Sequence, residues 1–254
     1  MTDFIIAVLI GLVSGILSGL FGVGGGIVMT PGIQVLLGTA PIVALATPLP
    51  VIAVGRITGA LTYRRAGEID ERAALWMSVP GIAAATVGAA LTDVIDTHLL
   101  LVVTALLLAY QAVAILRGRR AAETKPQRAT TAWTFVGIGL AAGFVSGLLG
   151  IGGGLVMVPL LAGWLGMPLK RALGTSLLAI VVLVIPGTIV HTALGHIDWA
   201  IVAAVTFGAV PGALIGARIA LGTQERTLRL AVGSFLLIVA VSYGVSEAFE
   251  LLRS

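Results

Sequence analysis

A glycine-rich segment occurs twice in this chain, and the two copies begin 128 residues apart. Residues 11–31 read GLVSGILSGLFGVGGGIVMTP and residues 139–159 read GLAAGFVSGLLGIGGGLVMVP, with 13 of 21 positions identical. Most of the shared positions are glycines, and each copy ends on a proline. A duplicated break in helical sequence within an apolar chain is typical of membrane transporters built from two related halves.

The composition predicts an all-α polytopic membrane protein. Hydrophobic residues make up 58% of the chain and charged residues only 10%, whereas soluble domains carry about 25% charged residues. The chain has no cysteine, and its three histidines are too scattered to suggest a metal cluster. We therefore expect no cofactor, no metal site and no catalytic residues. We interpret the net charge of +4 as basic loops on one side of a membrane, not as a nucleic-acid surface.

Glycine, proline and charge clusters divide each half into five apolar segments. They lie near 4–21, 26–38, 41–62, 73–92 and 98–116, then near 132–149, 154–166, 171–194, 199–221 and 227–246. The second segment of each half has about 13 residues, or about 20 Å of helix. A full span needs about 20 residues, or about 30 Å. We expect these two segments to be short or re-entrant. Residues 1–116 and 132–254 are predicted to form two transmembrane repeats, joined by a cytoplasmic linker at 117–131.

Two topologies fit this segmentation. If the short segments reverse the chain direction, each repeat has five passes and the repeats are inverted. If the short segments return to the same side, each repeat has four passes and the repeats are parallel. With the linker inside, only the inverted arrangement keeps Lys170, Arg171, Arg226 and Arg229 inside. The positive-inside rule therefore favours inverted 5+5 repeats, with both termini on the periplasmic side of a bacterial inner (plasma) membrane.

Matches outside the glycine segment also support a duplication. Thr47 aligns with Thr175, and Gly59 aligns with Gly187. The pair Pro80-Gly81 aligns with Pro211-Gly212 only after a shift of three residues.

Two kinds of glycine pattern lie within the duplicated segment. Glycines spaced by four predict close helix packing; they are Gly11, Gly15 and Gly19, with Gly139, Gly143 and Gly147. The consecutive glycines are candidate substrate-binding residues; they are Gly24, Gly25 and Gly26, with Gly152, Gly153 and Gly154.

The consecutive glycines predict an unwound backbone at membrane depth, because each costs about 1 kcal/mol relative to Ala in a helix. The helix that follows such a break offers unpaired N–H groups and a positive dipole end, both of which favour an anion. A tight turn between two helices is the alternative. Because the break occurs in both halves, we favour a shared anion site near the membrane midplane.

Arg56 lies within the third apolar segment, and its repeat equivalent is Val184. An arginine inside a span costs at least about 2.5 kcal/mol and usually faces a partner or a pathway. We expect its guanidinium to bind a substrate oxyanion through two hydrogen bonds. The alternative is that the side chain extends toward the cytoplasmic membrane surface.

Polar side chains in the same segments are further candidates. Thr47, Thr175 and Ser176 could donate hydrogen bonds to the substrate, and Gln34, Ser18 and Ser146 are weaker candidates. Hydroxyls that bond to carbonyls of their own helix are the alternative. His191 is the candidate for carrying a coupling proton, and Na⁺ is the other coupling ion we retain.

The chain resembles the TauE/SafE family of sulfite exporters. The resemblance rests on the paired SGLFGVGGGIVMTP and SGLLGIGGGLVMVP, and on GTSLL and PGALIGARIA in the second half. It implies a permease for small sulfur-containing anions such as sulfite or sulfonates. The first half departs from the pattern at Ala46-Thr47-Pro48-Leu49, where the second half has Gly174-Thr175-Ser176-Leu177.

These observations predict a secondary transporter, not an enzyme, that works by alternating access. Its partners would be a small anionic substrate and the lipid bilayer, with no nucleic acid; the sequence leaves the oligomeric state open. A transporter or channel for another small solute or a cation, and a non-transporting accessory protein, are the alternatives. No Asp or Glu lies deep in any segment, which argues against a cation carrier.

Overall fold

The structure, a computed structural model, describes residues 2–22, 25–92, 106, 109–110, 112–113, 116, 131–149 and 153–251. The first half contains α1 (Thr2–Phe21), α2 (Gly26–Leu36), α3 (Pro41–Ala46), α4 (Pro48–Arg65) and α5 (Glu71–Thr92). The second half contains α6 (Ala132–Leu149), α7 (Gly154–Pro159), a π-helical turn (Leu160–Trp164), α8 (Leu169–Ala193), α9 (Trp199–Gly222) and α10 (Glu225–Leu251). Most of the segment predicted at 98–116, and the linker except Thr131, lie outside the described residues.

The described residues form an all-helical, membrane-spanning architecture. Four stretches are long and apolar enough to cross a bilayer, namely Thr2–Phe21, Ile42–Arg65, Leu169–Ala193 and Trp199–Gly222. The second segment of each half is short, as predicted: α2 has 11 residues, and α7 has six before the π-helical turn. An 11-residue helix is about 16 Å long, which is too short to cross the hydrocarbon core alone.

Each short helix folds back along the long helix before it. A Cβ at Gly25 would lie 3.1 Å from the Ser14 carbonyl oxygen, and one at Gly32 would lie 3.2 Å from Ile10. Because the residue number rises on α2 as it falls on α1, the two helices are antiparallel. In the second half, Gly153 approaches Ala142 in the same way, at 3.2 Å. The N-terminal ends of α2 and α7 therefore lie inside the bundle.

Glycine faces join α1 to α9 and α5 to α6. A Cβ on any of these glycines would collide with the backbone of the facing helix, so only hydrogen at this position allows the observed approach. The facing pairs are Gly11–Val205, Gly15–Ala209 and Gly19–Ala213, then Gly139–Met77, Gly143–Gly81 and Gly147–Ala85. Both helix pairs are parallel, since the numbers rise together. The predicted role of the glycines spaced by four is confirmed.

The helices α4 and α8 form an antiparallel pair in the interior. A Cβ at Gly59 would lie 3.4 Å from Leu177, and a Cβ at Gly187 would lie 3.5 Å from Leu49. At the end of the pair, Gly174 lies against Tyr63. These contacts fix the register of α4 against α8, and therefore the depth of every residue on α4.

Candidate functional site

Arg56 lies on the inward face of α4 and is the central feature of the candidate site. Its relative exposure is 0%, and with Tyr63 it is one of the two largest fully buried side chains among the described residues. Its Nε, Nη1 and Nη2 atoms have no hydrogen-bond partner in the part of the chain that the structure describes. The side chain is enclosed by protein, which disfavours the alternative that it extends to the cytoplasmic membrane surface.

Contacts between α4 and α8 place Arg56 opposite Ile180. Gly59 faces Leu177. Because the two helices are antiparallel, Arg56, three residues before Gly59, faces Ile180, three residues after Leu177. Ile180 is itself fully buried. On α4 the two contacts with α8 are made by Leu49 and Gly59. Arg56 lies between them, within about one helical turn of the point halfway along α4 where the two helices cross.

Gly55, next to Arg56, makes no close contact with another described helix. It is buried, yet a Cβ added there would meet no atom of a described neighbouring element within 4 Å. Among the described residues, Gly55 is therefore approached less closely than the glycine faces of α1 and α6.

Thr206 on α9 is a candidate that the sequence analysis missed. Its Oγ1 atom is buried and has no partner among the described residues. The Asp198 N–H donates to Thr47 Oγ1 (3.2 Å), which brings the start of α9 beside the start of α4. Thr206 is eight residues beyond Asp198 and Arg56 nine beyond Thr47, so both lie at about the same depth. The sequence feature that could have identified Thr206 is a threonine hydroxyl within an apolar helix.

The first glycine break lies beside α8. Gly22 has a positive φ of 64°, a conformation that glycine adopts without strain. A Cβ on Gly22 would lie 3.2 Å from Ser176 Oγ and 2.8 Å from Leu173. Gly25 precedes α2 and lies against Ser14, and Gly26 is the first residue of that helix. Gly24 lies outside the described residues.

The second glycine break lies beside a later turn of α8. Gly153 has a φ of 50° and directly precedes α7, whose first residue is Gly154. A Cβ on Gly153 would lie 3.3 Å from Leu183 and 3.5 Å from Ser146. Gly152 lies outside the described residues.

Arg56 lies between the two breaks along the α4–α8 pair. The first break meets α8 at Ser176 and the second at Leu183. Ile180, which faces Arg56, is about 6 Å along the helix from the first position and about 4.5 Å from the second. Among the described residues, the contacts of the two breaks therefore lie on different turns of α8, and the backbone of Arg56 lies at a depth between those turns.

Thr47 and Thr175 anchor loops in the structure. Thr175 Oγ1 accepts a 2.9 Å hydrogen bond from the Asp70 N–H, just as Thr47 Oγ1 accepts one from Asp198. Thr47 lies nine residues before Arg56, about 13 Å along the helix. Its oxygen already accepts the Asp198 N–H. We therefore propose that Thr47 holds the loop, and its predicted role in substrate binding stays a weaker proposal.

The remaining hydroxyl and amide candidates have different environments. Ser176 Oγ donates to the Leu173 carbonyl oxygen at 2.8 Å, which is the alternative considered for these hydroxyls. Ser18 and Ser146 are buried, at 6% and 8% exposure. Gln34 lies on the exposed side of α2, so the structure does not bring it to Arg56.

His191 contacts a second histidine that the sequence analysis did not pair with it. The Nδ1 atoms of His191 and His196 are 3.2 Å apart. Both residues lie where α8 meets the loop to α9. Hydrogen bonding between two ring nitrogens requires one of them to be protonated and the other not.

The described residues contain no group of three or more His, Cys, Asp or Glu that could hold a metal ion. A surface groove between α6 and the π-helical turn is lined by Trp133, Trp164 and Leu160, among others, and holds none of the candidate residues. Tryptophan at such a position is typical of the membrane–water interface. We do not assign this groove to the substrate.

Comparison with known proteins gives a consistent result. The family model described as "Sulfite exporter TauE/SafE" matches residues 7–243. The chain is 28% identical to a probable membrane transporter protein, YunE, of Bacillus subtilis, over 93% of this chain and 96% of that protein. It is 30% identical to YdhB of Bacillus subtilis over 83% of this chain and 88% of that one, and 28% identical to a probable membrane transporter protein of Xylella fastidiosa over 88% of each. No solved structure matches the chain.

Proposed function

This chain belongs to the sulfite exporter TauE/SafE family, and on that premise we propose that it carries small sulfur-containing anions across the membrane through a site at Arg56. The family is one of transporters and not of enzymes. We propose sulfite and sulfonates as the substrates, and the bacterial inner membrane as the location.

The observation that carries this proposal is the burial of Arg56 without a partner. Removing a charged group from water costs several kcal/mol unless the group is paired. All three guanidinium nitrogens lack a partner in the described part of the chain. A guanidinium matches an oxyanion through two parallel N–H···O bonds, so a sulfite or sulfonate head group would supply the missing acceptors.

The glycine breaks support an anion near Arg56. The N-terminal ends of α2 and α7 lie inside the bundle and begin at Gly26 and Gly154. Gly153, directly before α7, has a positive φ, and in the first break the positive φ is at Gly22. Such ends present free N–H groups and a partial positive charge. We propose that Gly25, Gly26, Gly153 and Gly154 contribute donors from two sides of the guanidinium, together with Gly24 and Gly152.

Neutral hydroxyls complete the proposed site. Thr206 lies at the depth of Arg56, and Ser176 lies beside the first break. Ser18 and Ser146 are buried on the long helices that precede the breaks. Thr175 remains a weaker candidate, because its oxygen already accepts a hydrogen bond from Asp70.

We propose that the two halves are inverted repeats, with residues 117–131 as the cytoplasmic linker. Matching contacts support this. Adding or subtracting 128 turns the contact Gly59–Leu177 into the contact Gly187–Leu49. The same operation turns the hydrogen bond Asp70–Thr175 into the hydrogen bond Asp198–Thr47. An antiparallel α4 and α8 agrees with inverted repeats and disagrees with parallel repeats. The crossing near Arg56 would then lie at the midplane, where alternating access needs its site.

Transport measured with purified protein in liposomes tests this function. We expect entrapped sulfite to leave wild-type liposomes, and we expect Arg56→Ala to lose both transport and stabilisation of the protein by sulfite. Arg65→Ala is the matched control, because Arg65 is an exposed arginine in the last turn of the same helix. Transport unaffected by Arg56→Ala would remove Arg56 from the site. Stabilisation by Na⁺ and by no anion would instead support a cation carrier.

A further inference from the structure

The charge around Arg56 defines which ionic form of the substrate fits. Arg56 is the only charged side chain among the buried residues that the structure describes. The other buried polar side chains there are neutral hydroxyls, namely Ser14, Ser18, Thr47, Ser78, Ser146, Thr175 and Ser176. The interior of the described bundle therefore holds a single positive charge.

Among the described residues, no ionisable group on a helix packed against α4 lies at this depth. The helices packed against α4 carry their ionisable residues near their ends; these are Asp3 on α1, Lys170, Arg171 and His191 on α8, and Arg218 on α9. On α4 itself, the Tyr63 hydroxyl donates to the Gly19 carbonyl oxygen. The donors available beside Arg56 are backbone N–H groups and hydroxyls, which carry no net charge.

Charge balance in such an environment favours a monovalent anion. One guanidinium neutralises one negative charge, and a dianion leaves an uncompensated charge in a medium of low dielectric constant. The cost of removing an ion from water also grows as the square of its charge, whereas the attraction to Arg56 grows only in proportion to it. The surrounding hydroxyls and N–H dipoles stabilise either ion but neutralise neither.

We infer that the site takes singly charged sulfur oxyanions, which means hydrogen sulfite and sulfonates, and rejects sulfate and the sulfite dianion. This inference rests on the proposed function and narrows its substrate. Sulfite would take up a proton in water before it binds, and would release that proton after it leaves on the other side. The proton would then cross the membrane on the substrate, and no carboxylate within the spans would be needed to carry it.

The test compares two anions over a pH range with the purified full-length chain. Sulfite exchanges its second proton near neutral pH, whereas methanesulfonate stays singly charged. We expect the Kd for total sulfite to rise about tenfold for each pH unit above the point where the dianion predominates. The Kd for methanesulfonate should stay constant, which also controls for titration of the protein, and sulfate should not bind.

Two outcomes distinguish this inference from the proposed function. A sulfite Kd independent of pH, or sulfate binding as tight as methanesulfonate binding, would overturn the monovalent selection and leave the anion site in place. Failure of sulfite and methanesulfonate to bind at any pH would overturn both.

A charge-adding variant gives an independent reading. Val184 occupies the position related to Arg56 by the internal repeat and is buried, at 3% exposure. Val184→Arg should add a second guanidinium near the crossing, so we expect it to bind sulfate and to lose the pH dependence of sulfite binding. Arg56→Lys should keep the preference for singly charged anions with weaker binding. A folded Val184→Arg protein that still rejects sulfate would count against charge balance as the selecting principle.

Discussion

The Tyr63 hydroxyl donates a 3.1 Å hydrogen bond to the Gly19 carbonyl oxygen, which ties the last turns of α4 to the last turns of α1. Tyr63 is fully buried, and Gly19 lies three residues before the first positive-φ glycine. The hydrogen bond therefore holds the chain that enters the first glycine break against the helix that carries Arg56.

Removing this hydrogen bond should destabilise the protein. A typical net contribution is about 0.5–1.5 kcal/mol, with more when a buried acceptor is left unpaired. We expect Tyr63→Phe to lower the thermal unfolding midpoint measured in detergent. Tyr110→Phe is the control, since Tyr110 is 70% exposed. Equal midpoints for the two variants would show that the hydrogen bond contributes nothing to stability.

Close packing of α5 against α6 should not tolerate a side chain at Gly143. A Cβ there would collide with the Gly81 backbone, and forced overpacking typically costs about 1–3 kcal/mol. We expect Gly143→Val to reduce the yield of folded protein on size-exclusion chromatography. Gly137→Val in the same helix is the control, because a Cβ there meets nothing within 4 Å. A normal elution profile for Gly143→Val would mean that the two helices can separate freely.

Thr47 should matter for stability and not for substrate binding. Thr47→Val removes the oxygen that accepts the Asp198 N–H, and a typical hydrogen bond contributes about 0.5–1.5 kcal/mol net. We expect a lower unfolding midpoint with an unchanged Kd for methanesulfonate. A large rise in Kd without loss of stability would return Thr47 to the binding site.

Thr206 should matter for substrate binding. Its buried hydroxyl has no partner among the described residues and lies at the depth of Arg56. A hydrogen bond to a charged substrate contributes about 1.5–3 kcal/mol, so losing it should raise Kd about 10- to 150-fold. We expect that rise in Thr206→Val, measured by titration calorimetry with methanesulfonate. Thr86→Val is the control, because the Thr86 hydroxyl is exposed and bonds to the Ile82 carbonyl oxygen. Identical Kd values for both variants would exclude Thr206.

The histidine pair should reveal whether the protein itself carries a coupling proton. Protonating both rings would place two positive charges beside each other, since the Nδ1 atoms are 3.2 Å apart. If His191 couples transport to a proton gradient, His191→Gln should abolish the stimulation of uptake by that gradient. His98→Gln is a control histidine elsewhere in the chain. Stimulation that survives in His191→Gln would leave the substrate as the proton carrier.

Much of the helical architecture followed from the sequence. The predicted segments 132–149 and 199–221 agree with α6 (Ala132–Leu149) and α9 (Trp199–Gly222) to within one residue. The agreement has a simple cause, because each of these apolar runs is bounded by polar residues or consecutive glycines, whereas isolated prolines such as Pro211 are tolerated inside the helix. The spacing of the glycines likewise predicted which helix faces pack closely.

The helix contacts favour a different internal alignment at one point. The sequence paired Pro80-Gly81 with Pro211-Gly212 through a shift of three residues. In the structure, Gly81 faces Gly143 as Ala209 faces Gly15, so under the proposed repeat Gly81 would correspond to Ala209 without a shift. This contact requires a small residue, which is glycine at 81 and alanine at 209. The sequence comparison aligned the prolines at 80 and 211 instead, and so it missed this pair of packing positions.

Sequence alone determined that Arg56 lies inside a span, that two glycine breaks interrupt the helices, and that the chain crosses a membrane. Only the tertiary structure decided that Arg56 lies between those breaks, that Thr206 reaches its depth, and that Thr47 anchors a loop instead. The physical reason is that helix formation and membrane insertion depend on local composition. The depth of one side chain relative to another depends on the register between helices, which distant contacts such as Gly59–Leu177 and Leu49–Gly187 set.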